Sequence, residues 1–193
     1  MASIDLWFPV AIYEEKNLFP FSKNEEWAEI SLELQKSVPS AGQEWYGNTY
    51  TTINNHDISK DPRFEELKNE VTKHVNAFAK SHNSDEVYNC HAAWVNVNET
   101  GTFQEYHSHS NSVFSAIYYI SSPPGSGSVV FEDPKEPDML PLRGIKERNN
   151  LSYCVTKYPC EQGKLIIFRA YLRHLVQPGT NTRPRISAAF NFR

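Results

Sequence analysis

The chain has 193 residues, 39% hydrophobic and 22% charged, with 4 Trp, 10 Tyr and 11 Phe. That composition excludes a disordered chain and suits one domain better than two. A net charge of −4, from 19 basic and 23 acidic residues, disfavours duplex nucleic acid as a partner. Cys90, Cys154 and Cys160 are too few, and odd in number, for a disulfide framework. The N-terminal stretch lacks the basic region and cleavage site of a signal peptide, and no apolar run approaches about 18 residues. The expectation is a soluble, cytoplasmic protein with no membrane partner.

Residues 6–13 form a short apolar run that reads as a strand. Ser22 and Glu25 have capping-box spacing, and Trp27, Ile30, Leu34 and Val38 then recur at helical spacing up to Pro39. A second helix is signalled by Asp61 as a cap, Pro62 at the first helical position, and the stripe Phe64, Leu67, Val71, Val75 and Phe78. After residue 85 the pattern changes to strands at 92–98, 102–109, 113–121, 127–131, 152–158, 163–168 and 185–192. This order predicts a mainly β, jelly-roll domain over residues 1–193, with helical support in 1–85 and a β core in 86–193. Residues 132–151 carry three prolines and many charges, which reads as a solvated loop or a substrate lid.

Seven histidines are present. His107 and His109 lie two apart in an extended segment, so their side chains share a face and can ligate one metal ion. Chance alone supplies roughly 0.25 such pairs in a chain of this composition, so the pair is weak by itself. His174, following the apolar stretch GKLIIFRAYLR, adds a third ligand candidate. Downstream, Arg185 and Ser187 share a face of the last strand. An arginine aimed inward needs an anion, because an unpaired buried charge is costly, and its planar fork suits a carboxylate. His91 falls on the opposite face from Asn96 and reads as structural.

With those residues in that order, the chain resembles the iron(II)- and 2-oxoglutarate-dependent dioxygenases. GTFQEYHSH (101–109) is similar to the glycine-led strand that ends in that family's HxD ligand pair, and His174 stands where its second histidine does. SAIYYI (115–120) resembles the prolyl-hydroxylase segment whose second tyrosine touches 2-oxoglutarate, here Tyr119. Asn96 falls where the nucleic-acid demethylase branch places an asparagine on the cosubstrate. The whole chain looks closest to a group of oxygenases of bacteria and their phages, most strongly over 92–192. The resemblance implies a double-stranded β-helix with a cupin-like barrel. It also implies iron(II), 2-oxoglutarate and O2 as reactants, with Arg185 and Ser187 on the distal carboxylate of the cosubstrate. The reaction it implies is hydroxylation of a C–H bond with release of succinate and CO2, on a small molecule or a peptidyl residue.

One position departs from the family pattern. His109 stands where an aspartate is usual, so the ligand set is either His107, His109 and His174 or one completed by a carboxylate such as Glu105 or Asp133. Two other classes stay open: a cupin-like three-histidine dioxygenase that uses no 2-oxoglutarate, and a non-enzymatic jelly-roll binding module. Exposed jelly-roll edges are also compatible with a homodimer.

Overall fold

The computed structural model describes residues 2–42, 45–135 and 142–193. Two antiparallel sheets face each other, and two helices cover the outer side of the larger one. The larger sheet has the order β1-β8-β5-β10-β3-β2. Its strands are β1 (Ile12–Glu15), β2 (Tyr50–Thr51), β3 (Cys90–Asn98), β5 (Phe114–Ser121), β8 (Leu165–Arg169) and β10 (Arg185–Phe192). The smaller sheet has the order β4-β9-β6-β7, built from β4 (Gln104–His107), β6 (Val129–Glu132), β7 (Val155–Tyr158) and β9 (His174–Val176). This is the expected double-stranded β-helix, with α1 (Phe21–Ser37) and α2 (Glu65–Ser81) as its support. Among the described residues no helix is long and apolar enough to cross a membrane.

Alternation along the strands divides the interior in two. Val95 and Val97 of β3, Ala116 and Tyr118 of β5, and Ile186, Ala188 and Phe190 of β10 pack with Trp27, Leu67, Val71 and Val75 of the helices. Tyr119, Val129, Phe131, Ile166, Phe168 and Leu172 form a second cluster between the sheets. Every residue of β10 is buried, because one face meets the helical layer and the other faces the smaller sheet. The helical layer is also pinned by polar contacts. Trp27 Nε1 donates to the Arg63 carbonyl at 3.0 Å, and Tyr118 Oη donates to Asn24 Oδ1 at 2.6 Å.

Asp61 does cap, as expected, but it caps a single 3₁₀ turn, Pro62–Phe64, before α2 begins. Its carboxylate accepts from the Arg63 amide at 3.0 Å. Three expectations change. The capping box at Ser22 is absent, because α1 starts at Phe21 and Pro20 holds the cap position with no side-chain bond. The apolar run 6–13 is strand only from Ile12: Phe8 adopts a left-handed φ of 60° and Pro9 follows it, which breaks the extended chain. The strand expected at 102–109 ends at His107, with a register shift between Gln104 and His107, so His109 lies just beyond it. Of the expected lid 132–151, residues 136–141 lie outside the described residues.

Candidate metal and cosubstrate site

His107 is the last residue of β4 and His174 the first of β9, and the two are cross-strand partners. Their ring centroids are 4.2 Å apart. His109 completes the group from the following turn, where its backbone N–H donates to the Ala170 carbonyl at 2.9 Å. Its ring stacks on that of His174 at 5.2 Å and on that of Trp94 at 5.6 Å. One ligating nitrogen from each of the three histidines lies within 4.8 Å of the others.

Hydrogen bonds behind the rings select the nitrogen that faces inward. Nδ1 of His107 contacts the Glu105 carbonyl at 2.7 Å, and Nδ1 of His174 contacts the Leu172 carbonyl at 2.9 Å. A ring nitrogen facing a carbonyl must carry the proton, so the Nε2 lone pair of each ring is free for a metal. His109 Nε2 is buried with no partner among the described residues. Burial disfavours the imidazolium form of all three, and each ring would repel charge on its neighbours. The pKa of His109 is lowered to about 4, chiefly by burial and then by His107. Those of His107 and His174 are lowered as well, also chiefly by burial. The site therefore offers three neutral nitrogen donors at neutral pH, which is what a divalent transition ion requires.

Each carboxylate held as a substitute has one oxygen engaged elsewhere, while Glu105 Oε2 is buried with no partner among the described residues. Glu105 Oε1 accepts from the Gly47 amide at 3.2 Å, and Asp133 Oδ1 accepts from the Lys135 amide at 3.0 Å. Among the described residues, the cluster that can hold an ion contains only the histidines. His91, read as structural, meets Ser112 Oγ at 3.1 Å.

Next to this cluster the inner face of the larger sheet turns polar. Ser187 is registered with Asn96 on one side and Tyr119 on the other, so these three residues form one row across β3, β10 and β5. Arg185 lies one step along β10, opposite Asn98. It is 2% exposed, and its one hydrogen bond runs from Nη1 to the Gly127 carbonyl at 2.9 Å. Its Nε is buried without a partner, and it makes no ion pair among the described residues. Glycine is required at 127, because a Cβ there would strike the Gln177 carbonyl. Asn96 Oδ1 is likewise buried and unpartnered. Tyr119 is 2% exposed, with its phenol pKa raised by burial and, secondarily, by Cys160; nearby Arg185 opposes the rise. A buried guanidinium without an anion, beside a buried carbonyl oxygen without a donor, is a cradle for an acid that brings its own polar groups.

The sequence reading missed two residues of this site. Trp94 stacks on His109, and Asn191, whose Oδ1 accepts from Ser115 Oγ at 2.8 Å, lies on the same inner face of the larger sheet. Both signals were available: Trp94 shares the parity of Asn96, and Asn191 that of Arg185 and Ser187.

Residues 92–191, from the middle of β3 to the end of β10, match the family model described as "Putative 2OG-Fe(II) oxygenase". The chain belongs to that family. This oxygenase is thus an enzyme whose metal and cosubstrate are those of its family, iron(II) and 2-oxoglutarate. No curated protein matches its sequence. In fold, the oxygenase is similar to a Pseudomonas putida prolyl-4-hydroxylase, at 13% identity and a TM-score of 0.65 over 95% of this chain and 92% of that one. It is also similar to the collagen prolyl hydroxylase of Paramecium bursaria Chlorella virus 1 in its 2-oxoglutarate complex, at 14% identity, a TM-score of 0.59 and 94% of each chain. HygX of Streptomyces hygroscopicus, solved with nickel, 2-oxoglutarate and hygromycin B, aligns at 12% identity with a TM-score of 0.63 over 95% of this chain and 82% of that one.

Proposed function

We propose that this oxygenase hydroxylates a C–H bond of its primary substrate, with iron held by His107, His109 and His174. When bound, iron(II) and 2-oxoglutarate supply the oxidising chemistry: one atom of O2 ends in succinate, the other in the new hydroxyl, and C1 of the cosubstrate leaves as CO2. The observation that carries this reading is the buried, anion-free Arg185 beside an all-histidine cluster.

Arg185 and Ser187 would grip the distal carboxylate, with Tyr119 and Asn96 beside them on the same sheet face. Three neutral imidazoles leave the charge of the ion uncompensated, which favours a dianionic cosubstrate over a neutral one. Phe131 and Phe168 back the His174 ring at 5.7 and 4.8 Å and keep water from that side of the cluster. The primary substrate would be a small molecule or a peptidyl residue, both of which appear among the fold's relatives: a hypoxia-inducible-factor peptide fragment and hygromycin B.

An all-histidine centre also suits a dioxygenase that needs no 2-oxoglutarate, in which Arg185 would instead pair with a carboxylate of the substrate itself. Anaerobic titration with iron(II) and 2-oxoglutarate separates the readings. The expected result is a weak visible charge-transfer band that is lost in Arg185→Ala and in His109→Ala. Iron uptake without a band would favour the three-histidine dioxygenase. Uptake of neither would leave a binding module.

A further inference from the structure

The polar row on the inner face of the larger sheet continues past Arg185. The β10–β5 register sets Ser187 opposite Tyr119 and Ile186 opposite Ser121, and Ser121 Oγ donates to the Pro184 carbonyl at 3.5 Å. Ser122 therefore comes level with Arg185 and, by alternation, shares its face. Its hydroxyl is in hydrogen-bond contact with the thiol of Cys160 at 2.9 Å. Cys160, from the connection between β7 and β8, also packs against the inner cluster that contains Tyr119. Trp94, which stacks on His109, is level with Ala189, and Arg185 lies further along β10. Ser122 and Cys160 thus stand at the end of the cradle remote from the histidines.

Another side of Arg185 is backbone. Its Nη1 donates to the Gly127 carbonyl, and Gly127 is pressed against the Gln177 carbonyl. No substitution moves that wall, whereas Cys160 is a single small side chain. The thiol is also uncharged at neutral pH. Burial pushes its pKa up to about 11, against the opposing pull of Arg185 and Ser122. It is therefore a poor nucleophile, and it does not repel an entering carboxylate. Resting on the cosubstrate reading above, we infer that Cys160, held by Ser122, is the end wall of the cradle and limits it to a five-carbon keto acid. An acid one methylene longer, anchored at the metal, has to push its far carboxylate past Arg185 into the space of the thiol.

The test loads the full chain with nickel(II), so that no turnover intervenes, and measures binding of 2-oxoglutarate and 2-oxoadipate by calorimetry. The parent is expected to prefer 2-oxoglutarate by about 10- to 200-fold, the range for one misfitting methylene. Cys160→Ala opens the wall and is expected to lower that preference about tenfold, mainly through tighter 2-oxoadipate binding, with nickel affinity unchanged. A merely structural thiol would not move this ratio. Cys160→Val adds bulk and is expected to weaken 2-oxoglutarate binding about tenfold; it decides the matter should the alanine variant not fold. If the parent takes up nickel but neither acid, the cosubstrate reading fails and the end wall with it. If the parent binds 2-oxoglutarate and both variants keep its affinity and preference, only the role of Cys160 is overturned. A parent that binds the two acids equally well overturns that role too and leaves the cosubstrate site standing.

Discussion

His107 and His174 stand directly opposite each other across β4 and β9, so strand pairing alone brings two imidazoles from distant parts of the chain into contact. Two rings placed by a β ladder are less free to rotate apart than rings carried on loops. The third, His109, sits where the strand has ended and is held by stacking on Trp94 and by its backbone bond to Ala170. The cluster is therefore rigid on two sides and adjustable on one, which localises where substitutions will be tolerated.

The adjustable side sets the first prediction. His109→Ala removes a donor and should abolish tight iron(II) binding, whereas His109→Asp installs a carboxylate and should retain both the metal and the charge-transfer band. Glu105→Gln should change metal affinity less than about threefold, since Glu105 lies outside the histidine cluster and turns one oxygen to Gly47. Calorimetric titration of the three variants checks this. Loss of binding in Glu105→Gln would return that residue to the ligand set.

Arg185→Ala should leave metal affinity intact and weaken 2-oxoglutarate binding roughly 100-fold or more. Each charge-assisted hydrogen bond contributes about 1.5–3 kcal/mol, and two are lost. Arg185→Lys keeps the charge without the planar fork and should fall between the two. Equilibrium binding of the cosubstrate to metal-loaded protein reads the difference.

Acid should destabilise the metal-free protein in a defined window. Unfolded, the histidines titrate near 6.5, whereas folded His109 does so near 4, and His107 and His174 shift the same way. Between those values the unfolded chain binds protons that the folded chain refuses. Stability is therefore flat above about 6.5 and falls as the pH drops towards 4. Bound metal should raise the melting midpoint most at neutral pH, and the gain should shrink on acidification as protons compete for the nitrogens. A second decline begins below 3.8, because folded Asp61, held by Arg63, titrates at about 2. Its stabilisation is present above 3.8 and is lost as the pH falls through about 2. Melting midpoints of metal-free protein between pH 4 and pH 8 that do not move would refute the first window.

Trp27→Ala should cost about 3–5 kcal/mol of stability, because the side chain is fully buried and its indole also satisfies the Arg63 carbonyl. Denaturant unfolding measures the loss. The folded fraction should still bind metal with the affinity of the parent, since the larger sheet separates Trp27 from the histidines.

What the sequence made legible was local. Periodicity revealed α1 and α2, strand parity placed Arg185 with Ser187, and the two-residue spacing of His107 and His109 marked the cluster. Only contact between distant segments could show that Glu105 turns one oxygen to Gly47, or that Trp94 stacks on His109. The expected strand at 6–13 failed for a different reason. Its apolar composition was right, but the left-handed turn at Phe8 before Pro9 outweighed it, and Trp7 and Phe8 remain exposed.

The central position of β10 bears on how the molecule is made. β3 and β5 are close in sequence yet do not pair, because β10, the last of the described strands in chain order, is inserted between them. Until it arrives, two apolar strands keep open edges towards each other, and the Arg185 cradle does not exist. Closing the sheet demands contacts of long sequence separation, which places folding on the slower, millisecond-to-second side of single-domain behaviour. Those waiting edges are also where misassembly would begin.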